Sequence, residues 1–272
     1  MSDATGVRRR LHRLLPAGQA ALWLPLDDSL IAGPEVGLRR PRVLLQAELV
    51  HHIDAVIGFR GTFAACADQL LDVPLILNMS GSTTLVEHTQ KVPIGRMRDA
   101  VRLDAAAVAF HVNYTSPYER QATRQLAQLA SKATGVDIPV VAMAYPRGRT
   151  SDGGDNNYLE LRSDDPDSYA RLVRHCVRTS VELGASVVKT MYTGSVESFR
   201  TVIDAAMGVP LVIAGEALVD AGAAIAKARS AIQAGAAGVA YGRQIFERDD
   251  PTTFVRQLRK ALDEEWATKV RS

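Results

Sequence analysis

Short apolar runs recur along the chain, and each one is followed by a longer stretch with the periodicity of an amphipathic helix. The runs are rich in valine, isoleucine and leucine and alternate little with polar residues, which is typical of strands covered on both faces. There are eight such runs, at residues 20–26, 54–59, 74–80, 107–113, 139–145, 186–192, 210–215 and 238–243. The helical patterns cover residues 35–50, 61–72, 94–104, 117–134, 166–183, 195–208, 219–235 and the chain after Pro251.

Several helix boundaries carry signals of their own. Ser116, Asp165 and Asp250 each precede a proline, which predicts an N-cap followed by proline at the first helical position. Gly184 and Gly235 fall where helices are expected to end. Strand and helix alternate eight times without a break in composition, which predicts one α/β domain over residues 1–272, a single (β/α)8 TIM barrel. An open doubly wound sheet is the alternative; the regular repeat and the lack of a GxGxxG motif after the first strand disfavour it.

Two segments exceed the minimal repeat. Residues 80–95 follow the third predicted strand, and residues 146–165 follow the fifth. The second segment is long, polar and rich in glycine, and it lies at the carboxyl end of a strand, where barrel active sites are built. We therefore expect a lid-like or specificity loop at 146–165, with a plain surface insertion as the alternative.

Composition excludes several classes of protein. The net charge is only +2, and the short basic run at Arg8, Arg9 and Arg10 is interpreted as a solvated helix face rather than a nucleic-acid footprint. Cys66 and Cys176 lie in apolar, helix-like contexts, which predicts buried free thiols, and no Cys/His cluster suggests zinc. With no signal-peptide pattern and no apolar run of about 18 residues, we expect a cytoplasmic protein without a membrane partner.

Polar residues follow the predicted strands, at the end where a barrel gathers its strand termini into one pocket. Those after strands one to four are Asp27, Asp28, Arg60, Asn78, Ser80, His111 and Asn113. Those after strands five to eight are Tyr145, Arg147, Tyr192, Gly215, Glu216, Gly242 and Arg243, with Lys189 inside strand six. The glycine turns after strands seven and eight are typical of a phosphate site. His111 is interpreted equally well as a hydrogen-bonded residue of the pocket wall or as a catalyst.

Lys189 follows two valines within a predicted strand. The other lysines lie in polar or helical contexts where we expect access to water: Lys91, Lys132, Lys227, Lys260 and Lys269. A buried amine whose pKa is lowered by burial and a nearby cation can attack a ketone and form an iminium. Tyr145 could then transfer protons, and Asp27 could hold substrate hydroxyls. The alternative is a structural or phosphate-pairing lysine.

Six segments together resemble the archaeal-type class I fructose-bisphosphate aldolase family, which also contains condensing aldolases that make precursors of aromatic amino acids and aminohydroxybenzoate. The segments are LPLDDSL (24–30), LNMSGST (77–83), AMAYPRG (142–148), VVKTMYTG (187–194), VIAGE (212–216) and AAGVAYGRQIF (236–246). The resemblance implies a (β/α)8 barrel, a Schiff base on Lys189, proton transfer by Tyr145 and an active-site carboxylate at Asp27. It also implies that Gly215, Gly242 and Arg243 hold the substrate phosphate, that no metal or cofactor is used, and that the protein is a homo-oligomer.

The chain departs from the family pattern at two positions. Asp28 stands where members often have histidine, and Glu216 stands where many have a second glycine. We expect the Glu216 carboxylate to repel a second phosphate and attract an amino group, with Arg60 supplying compensating charge and Arg147 binding substrate. The segment 151–157 adds further acidic groups.

These departures favour condensation of dihydroxyacetone phosphate with aspartate semialdehyde, to give a seven-carbon amino keto acid phosphate. One alternative is a fructose-bisphosphate aldolase. Another is a phosphate-binding barrel, an isomerase or synthase, without imine chemistry. A third is a barrel that has lost catalysis and serves as a scaffold. In the leading interpretation the partners are small molecules, not nucleic acid.

Overall fold

The computed structural model describes residues 5–34, 37–85, 87–150 and 154–271, and its centre is a closed barrel of eight parallel strands. Each strand pairs with the next along the chain, and β8 pairs with β1. The strands are β1 Ala21–Pro25, β2 Ala55–Gly58, β3 Leu75–Asn78, β4 Ala107–Tyr114, β5 Val140–Pro146, β6 Val187–Thr190, β7 Leu211–Ala214 and β8 Gly238–Ala240. All eight predicted strands and the closed barrel are confirmed.

Helices surround the barrel and cover its outer apolar face. The first seven are α1 Thr5–Leu14, α2 Asp28–Ile31, α3 Pro41–Leu44, α4 Ala47–Val50, α5 Arg60–Ala65, α6 Met97–Arg102 and α7 Glu119–Thr134. The others are α8 Leu159–Asp164, α9 Pro166–Glu182, α10 Val196–Ala205, α11 Ala221–Ala234, α12 Arg243–Phe246 and α13 Pro251–Arg271. The helix predicted over 35–50 is two short turns, α3 and α4, separated by an extended Gln46, and residues 35 and 36 lie outside the described residues.

Of the predicted N-caps, Asp165 is confirmed and Ser116 is wrong. The Asp165 side chain accepts from the Ser168 backbone N–H at 3.0 Å, as an N-cap should. Ser116 is not an N-cap: α7 begins at Glu119, and Ser116 Oγ instead accepts from the backbone N–H of Tyr118 in the preceding turn. The predicted helix ends are confirmed, because Gly184 and Gly235 adopt φ angles of +95° and +120°.

Alternation along the strands determines what enters the barrel. Successive side chains of a strand point to opposite faces, so residues two apart share a face. Val187 lies in the inner cluster and Val188 in the outer one, which directs Lys189 inward. Val141 and Met143 likewise share the inner cluster with Tyr145. The two candidate catalytic residues therefore enter the same interior by strand parity.

The amino-terminal end of the barrel is closed by α1. Leu14 is fully buried in the inner cluster, and its carbonyl oxygen accepts from the Trp23 indole N–H at 2.8 Å. Nearby, Asp54 Oδ2 accepts from Arg259 of α13 at 3.0 Å, so the C-terminal helix is fastened to this end. Access to the interior is thus from the carboxyl ends of the strands.

Two further expectations from the composition concern the cysteines and membrane-spanning segments. Cys66 and Cys176 are buried free thiols, as predicted. No helix within the described ranges combines the length and apolarity that a bilayer span requires.

Candidate active site

A cavity of about 940 Å³ opens at the carboxyl ends of the strands. Nine of the ten predicted site residues line it: Asp27, His111, Tyr145, Arg147, Lys189, Gly215, Glu216, Gly242 and Arg243. Arg60 is the exception, because it begins α5 with 69% of its side chain exposed and its guanidinium lies 3.6 Å from Asp99. The expected compensating charge from Arg60 is therefore absent from the cavity.

Lys189, Tyr145 and Asp27 form the buried base of the cavity. Each is less than a tenth exposed, and the Tyr145 hydroxyl lies close enough to the Lys189 side chain to affect its pKa. Burial lowers the pKa of Lys189, but Tyr145 and Asp27 outweigh it, so the pKa lies above its usual value. The expectation of a lowered pKa is wrong for this resting arrangement. Burial raises the pKa of Tyr145, which keeps its proton available for donation.

A polar chain behind the base holds Asp27 in place. Asn78 Nδ2 donates to Asp27 Oδ2 at 2.8 Å, and Asn78 Oδ1 accepts from the Ser80 hydroxyl at 2.9 Å. Ser80 Oγ in turn accepts from the His111 backbone N–H at 2.9 Å. Burial raises the pKa of Asp27, and the Lys189 charge opposes that rise. The carboxylate is therefore fixed in position, and burial makes it a better proton acceptor than an exposed aspartate.

His111 packs edge-on against Tyr145, with the two ring centroids 4.9 Å apart. Burial and neighbouring cations, Lys91 first among them, hold the pKa of His111 well below its ordinary value. The ring is thus neutral near pH 7. Its Nε2 is buried and has no hydrogen-bond partner among the described residues.

Glu216 faces the cavity but its charge is already engaged. Its carboxylate lies 2.7 Å from the Arg162 guanidinium and also pairs with Lys227. Burial raises the pKa of Glu216, but Lys227 and Arg162 outweigh it, so the pKa is lowered overall. Two cationic side chains thus flank one carboxylate, although burial lowers the pKa of Lys227. The expectation of an uncompensated Glu216 carboxylate, which would repel a second phosphate and attract an amino group, is corrected.

Sequence reasoning missed the contribution of the 80–95 segment, whose ends pair as a two-stranded hairpin, Ser80–Gly81 with Val92–Pro93. Lys91 was expected to reach water, yet it is 3% exposed and donates to Ser82 Oγ at 2.8 Å. Burial, with Arg147 adding to it, lowers the pKa of Lys91 to about 8. The available signal was position, because this segment follows the carboxyl end of a strand.

The two long segments meet over one side of the cavity. Arg149 pairs with Glu87, and His88 Nδ1 lies 3.0 Å from Asp155. Arg147, at the start of the second segment, donates from Nε to Asn157 Oδ1 at 2.8 Å. Within this segment a short hairpin, Gly148–Arg149 with Asp155–Asn156, precedes α8, and residues 151–153 lie outside the described residues.

A family model described as DeoC/LacD family aldolase matches residues 21–248. The chain belongs to this family. It is 34% identical over 252 residues to a 2-amino-3,7-dideoxy-D-threo-hept-6-ulosonate synthase of Halobacterium salinarum, covering 92% of this chain and 89% of the relative. It is 33% identical over 253 residues to a 2-amino-4,5-dihydroxy-6-oxo-7-(phosphonooxy)heptanoate synthase of Streptomyces griseus, covering 92% and 87%.

Solved structures support the same family. A crystal structure of an archaeal fructose 1,6-bisphosphate aldolase has a TM-score of 0.80 and 26% identity, covering 95% of this chain and 99% of that one. A structure of an archaeal fructose-1,6-bisphosphate aldolase with its catalytic lysine covalently bound to the carbinolamine intermediate of the substrate has a TM-score of 0.79 and 25% identity, covering 94% and 99%. The aldolase described here is thus a (β/α)8 enzyme of the Schiff-base class, with lyase-type chemistry.

Proposed function

We propose that this aldolase condenses dihydroxyacetone phosphate with aspartate semialdehyde through a Schiff base on Lys189, releasing a seven-carbon amino keto acid phosphate. The observation that carries the proposal is the buried Lys189 side chain, which lies beside Tyr145 and Asp27 at the base of the cavity. The Halobacterium and Streptomyces relatives, whose names describe 2-amino seven-carbon products, support the choice of acceptor.

The resting arrangement supplies the proton movement that the amine needs. Lys189 must lose a proton before it can attack, and Asp27, whose pKa burial raises, is the nearby acceptor. Lys189 and Asp27 can be both charged or both neutral, and burial brings these two states closer in free energy because it penalises both charges. Substrate binding then needs to shift one proton between Lys189 and Asp27.

The reaction then proceeds in balanced steps. The Lys189 amine adds to the donor ketone, and the carbinolamine loses water with a proton from Tyr145. The iminium withdraws electrons from the adjacent C–H bond, and the Tyr145 oxygen, having given up its own proton, takes the proton of that bond to give an enamine. The enamine carbon bonds to the aldehyde carbon, and the aldehyde oxygen takes up the proton from Tyr145. Water then hydrolyses the new iminium and regenerates the amine.

In this proposal the donor phosphate binds at the ends of β7 and β8. A Cβ at Gly242 would lie 3.1 Å from the Pro25 carbonyl oxygen, so a side chain at this turn would push its neighbours apart by a few tenths of an ångström. Arg243 lies beside this turn, 3.7 Å from Asp28, and Arg162 and Lys227 offset the charge of Glu216, which would otherwise oppose an anion nearby. A homo-oligomeric state and a cytoplasmic location stay expectations from the sequence.

Borohydride trapping tests the mechanism. After incubation with dihydroxyacetone phosphate and reduction, we expect a mass adduct on the peptide that contains Lys189. Lys189→Arg keeps the charge and should give no adduct, whereas Lys132→Arg, on an exposed part of α7, should trap as the wild type does. An adduct of equal yield in Lys189→Arg would refute the proposal.

The rival activity is cleavage of fructose 1,6-bisphosphate, which the similarity to the archaeal aldolase structures favours. A coupled cleavage assay separates the two. Turnover of this sugar faster than condensation with aspartate semialdehyde would support the rival, since both reactions share the donor.

A further inference from the structure

We propose that the two long segments form a subsite for the α-amino acid end of the acceptor, in which Arg147 binds the carboxylate and Asp155 binds the ammonium group. This inference rests on the proposed function and names the side chains that recognise its acceptor. Both residues line the cavity, on the wall made by the segments after β3 and β5.

The Arg147 guanidinium is half-buried in the cavity wall, and the side chains of the described residues that contact it are neutral. It contacts the neutral Asn157 amide, the His88 ring at 3.4 Å and the face of Tyr145, 5.8 Å from the ring centroid. No carboxylate of the described residues lies within 4 Å of it. Burying a guanidinium without a counter-charge is costly, so the cavity is suited to an anion at this position.

Asp155 carries the opposite charge on the same wall. Its carboxylate contacts His88 Nδ1 at 3.0 Å and retains 32% exposure. Burial holds the pKa of His88 below its ordinary value, so near pH 7 the ring is neutral. A neutral His88 accepts from Arg147 through Nε2 and donates to Asp155 through Nδ1. His88 thus separates a cation from an anion without neutralising either, and no lysine or arginine of the described residues lies within 4 Å of the Asp155 carboxylate.

An independent observation points to a polar ligand at this wall. The His111 side chain lines the cavity and is more than nine-tenths buried, and its Nε2 lacks a hydrogen-bond partner among the described residues. A second carboxylate, Asp28, also lines the cavity with 39% of its side chain exposed. A phosphorylated aldehyde would meet both carboxylates, whereas a zwitterion presents one charge of each sign.

The test compares two aldehydes that differ only in the amino group, aspartate semialdehyde and succinate semialdehyde. Asp155→Asn should lower kcat/KM for aspartate semialdehyde about tenfold or more, because a charge-assisted contact is lost, and should leave succinate semialdehyde within about twofold. The matched control is Glu160→Gln, which removes an exposed acidic group from the same segment and should change neither rate.

Borohydride trapping of dihydroxyacetone phosphate on Lys189, run on the same variants, separates the two levels of inference. Loss of the wild-type adduct would overturn the proposed function and the subsite together. An intact adduct, with Asp155→Asn changing the two aldehydes equally or neither of them, would overturn the subsite alone.

Discussion

Replacing Glu216 with glutamine tests whether its buried ion pairs join the segment after β5 to the barrel. Glu216→Gln keeps the shape of the side chain and removes its charge. Arg162 on α8 and Lys227 on α11 would then face each other across a neutral amide, with no described carboxylate within 4 Å of either. We expect loss of stability and a looser attachment of α8.

The magnitude follows from geometry and burial. At 2.7 Å the Arg162–Glu216 attraction is about 6 kcal/mol for an effective dielectric constant of about 20, and desolvation of the ions opposes it. Removing one partner of a buried pair costs about 3–5 kcal/mol, and we expect the lower end, about 3 kcal/mol, because Glu216 remains 18% exposed. The matched control is Glu182→Gln, which breaks an exposed pair with Arg178 at 3.6 Å and should cost about 0.5 kcal/mol or less.

The assay is urea unfolding of wild type and both variants at several pH values. The pKa of Glu216 is lowered in the folded state, so its contribution is present above the unfolded value of 4.5 and is lost as the pH falls. The difference between wild type and Glu216→Gln should therefore shrink between pH 7 and about pH 3. A difference below about 1 kcal/mol at pH 7, or one that does not change with pH, would refute the reasoning.

Two further predictions concern groups beside the base of the cavity. Asn78→Ala removes the hydrogen-bond donor that lowers the pKa of Asp27, so the acidic limb of the pH profile of kcat/KM should move to higher pH. A fall in Tm without a shift of that limb would show that Asn78 has a structural role only. Lys91→Met should raise the free energy of unfolding at pH 7 by about 2–3 kcal/mol. Lys91, with a pKa of about 8, is charged at pH 7, and holding that charge in the folded protein costs about 1.36 kcal/mol for each pKa unit below the ordinary value. The hydrogen bond that Lys91 makes offsets part of this cost. The stability difference between Lys91→Met and wild type should shrink as the pH rises from 8 to 10.5, because Lys91 loses its proton in the folded protein before it does so in the unfolded chain. A difference that stays constant over this range would contradict the prediction.

Local pattern in the sequence was sufficient for the barrel and for the base of the cavity. Short-range periodicity predicts the strands and helices, and the alternation of side chains along a strand directs every second one into the barrel. Lys189, Tyr145 and Asp27 could be named because each stands at a position that parity and chain direction assign to the same end of the barrel. One helix start was harder to predict, because a serine before proline, as at Ser116, is found in turns as well as at helix N-caps.

Contacts between distant parts of the chain were decided only by the tertiary structure. Glu216 meets Arg162 across 54 positions, and Arg147 meets His88 across 59, so neither pairing has a signature in either segment. The same holds for the burial of Lys91, whose local sequence is polar. The pKa of Lys189 depends on whether burial or its neighbours Tyr145 and Asp27 dominate, and that balance is set by distances in three dimensions. The strand sequences thus determine which side chains enter the site. The charge states of those side chains are determined by packing between loops and strands that are remote along the chain.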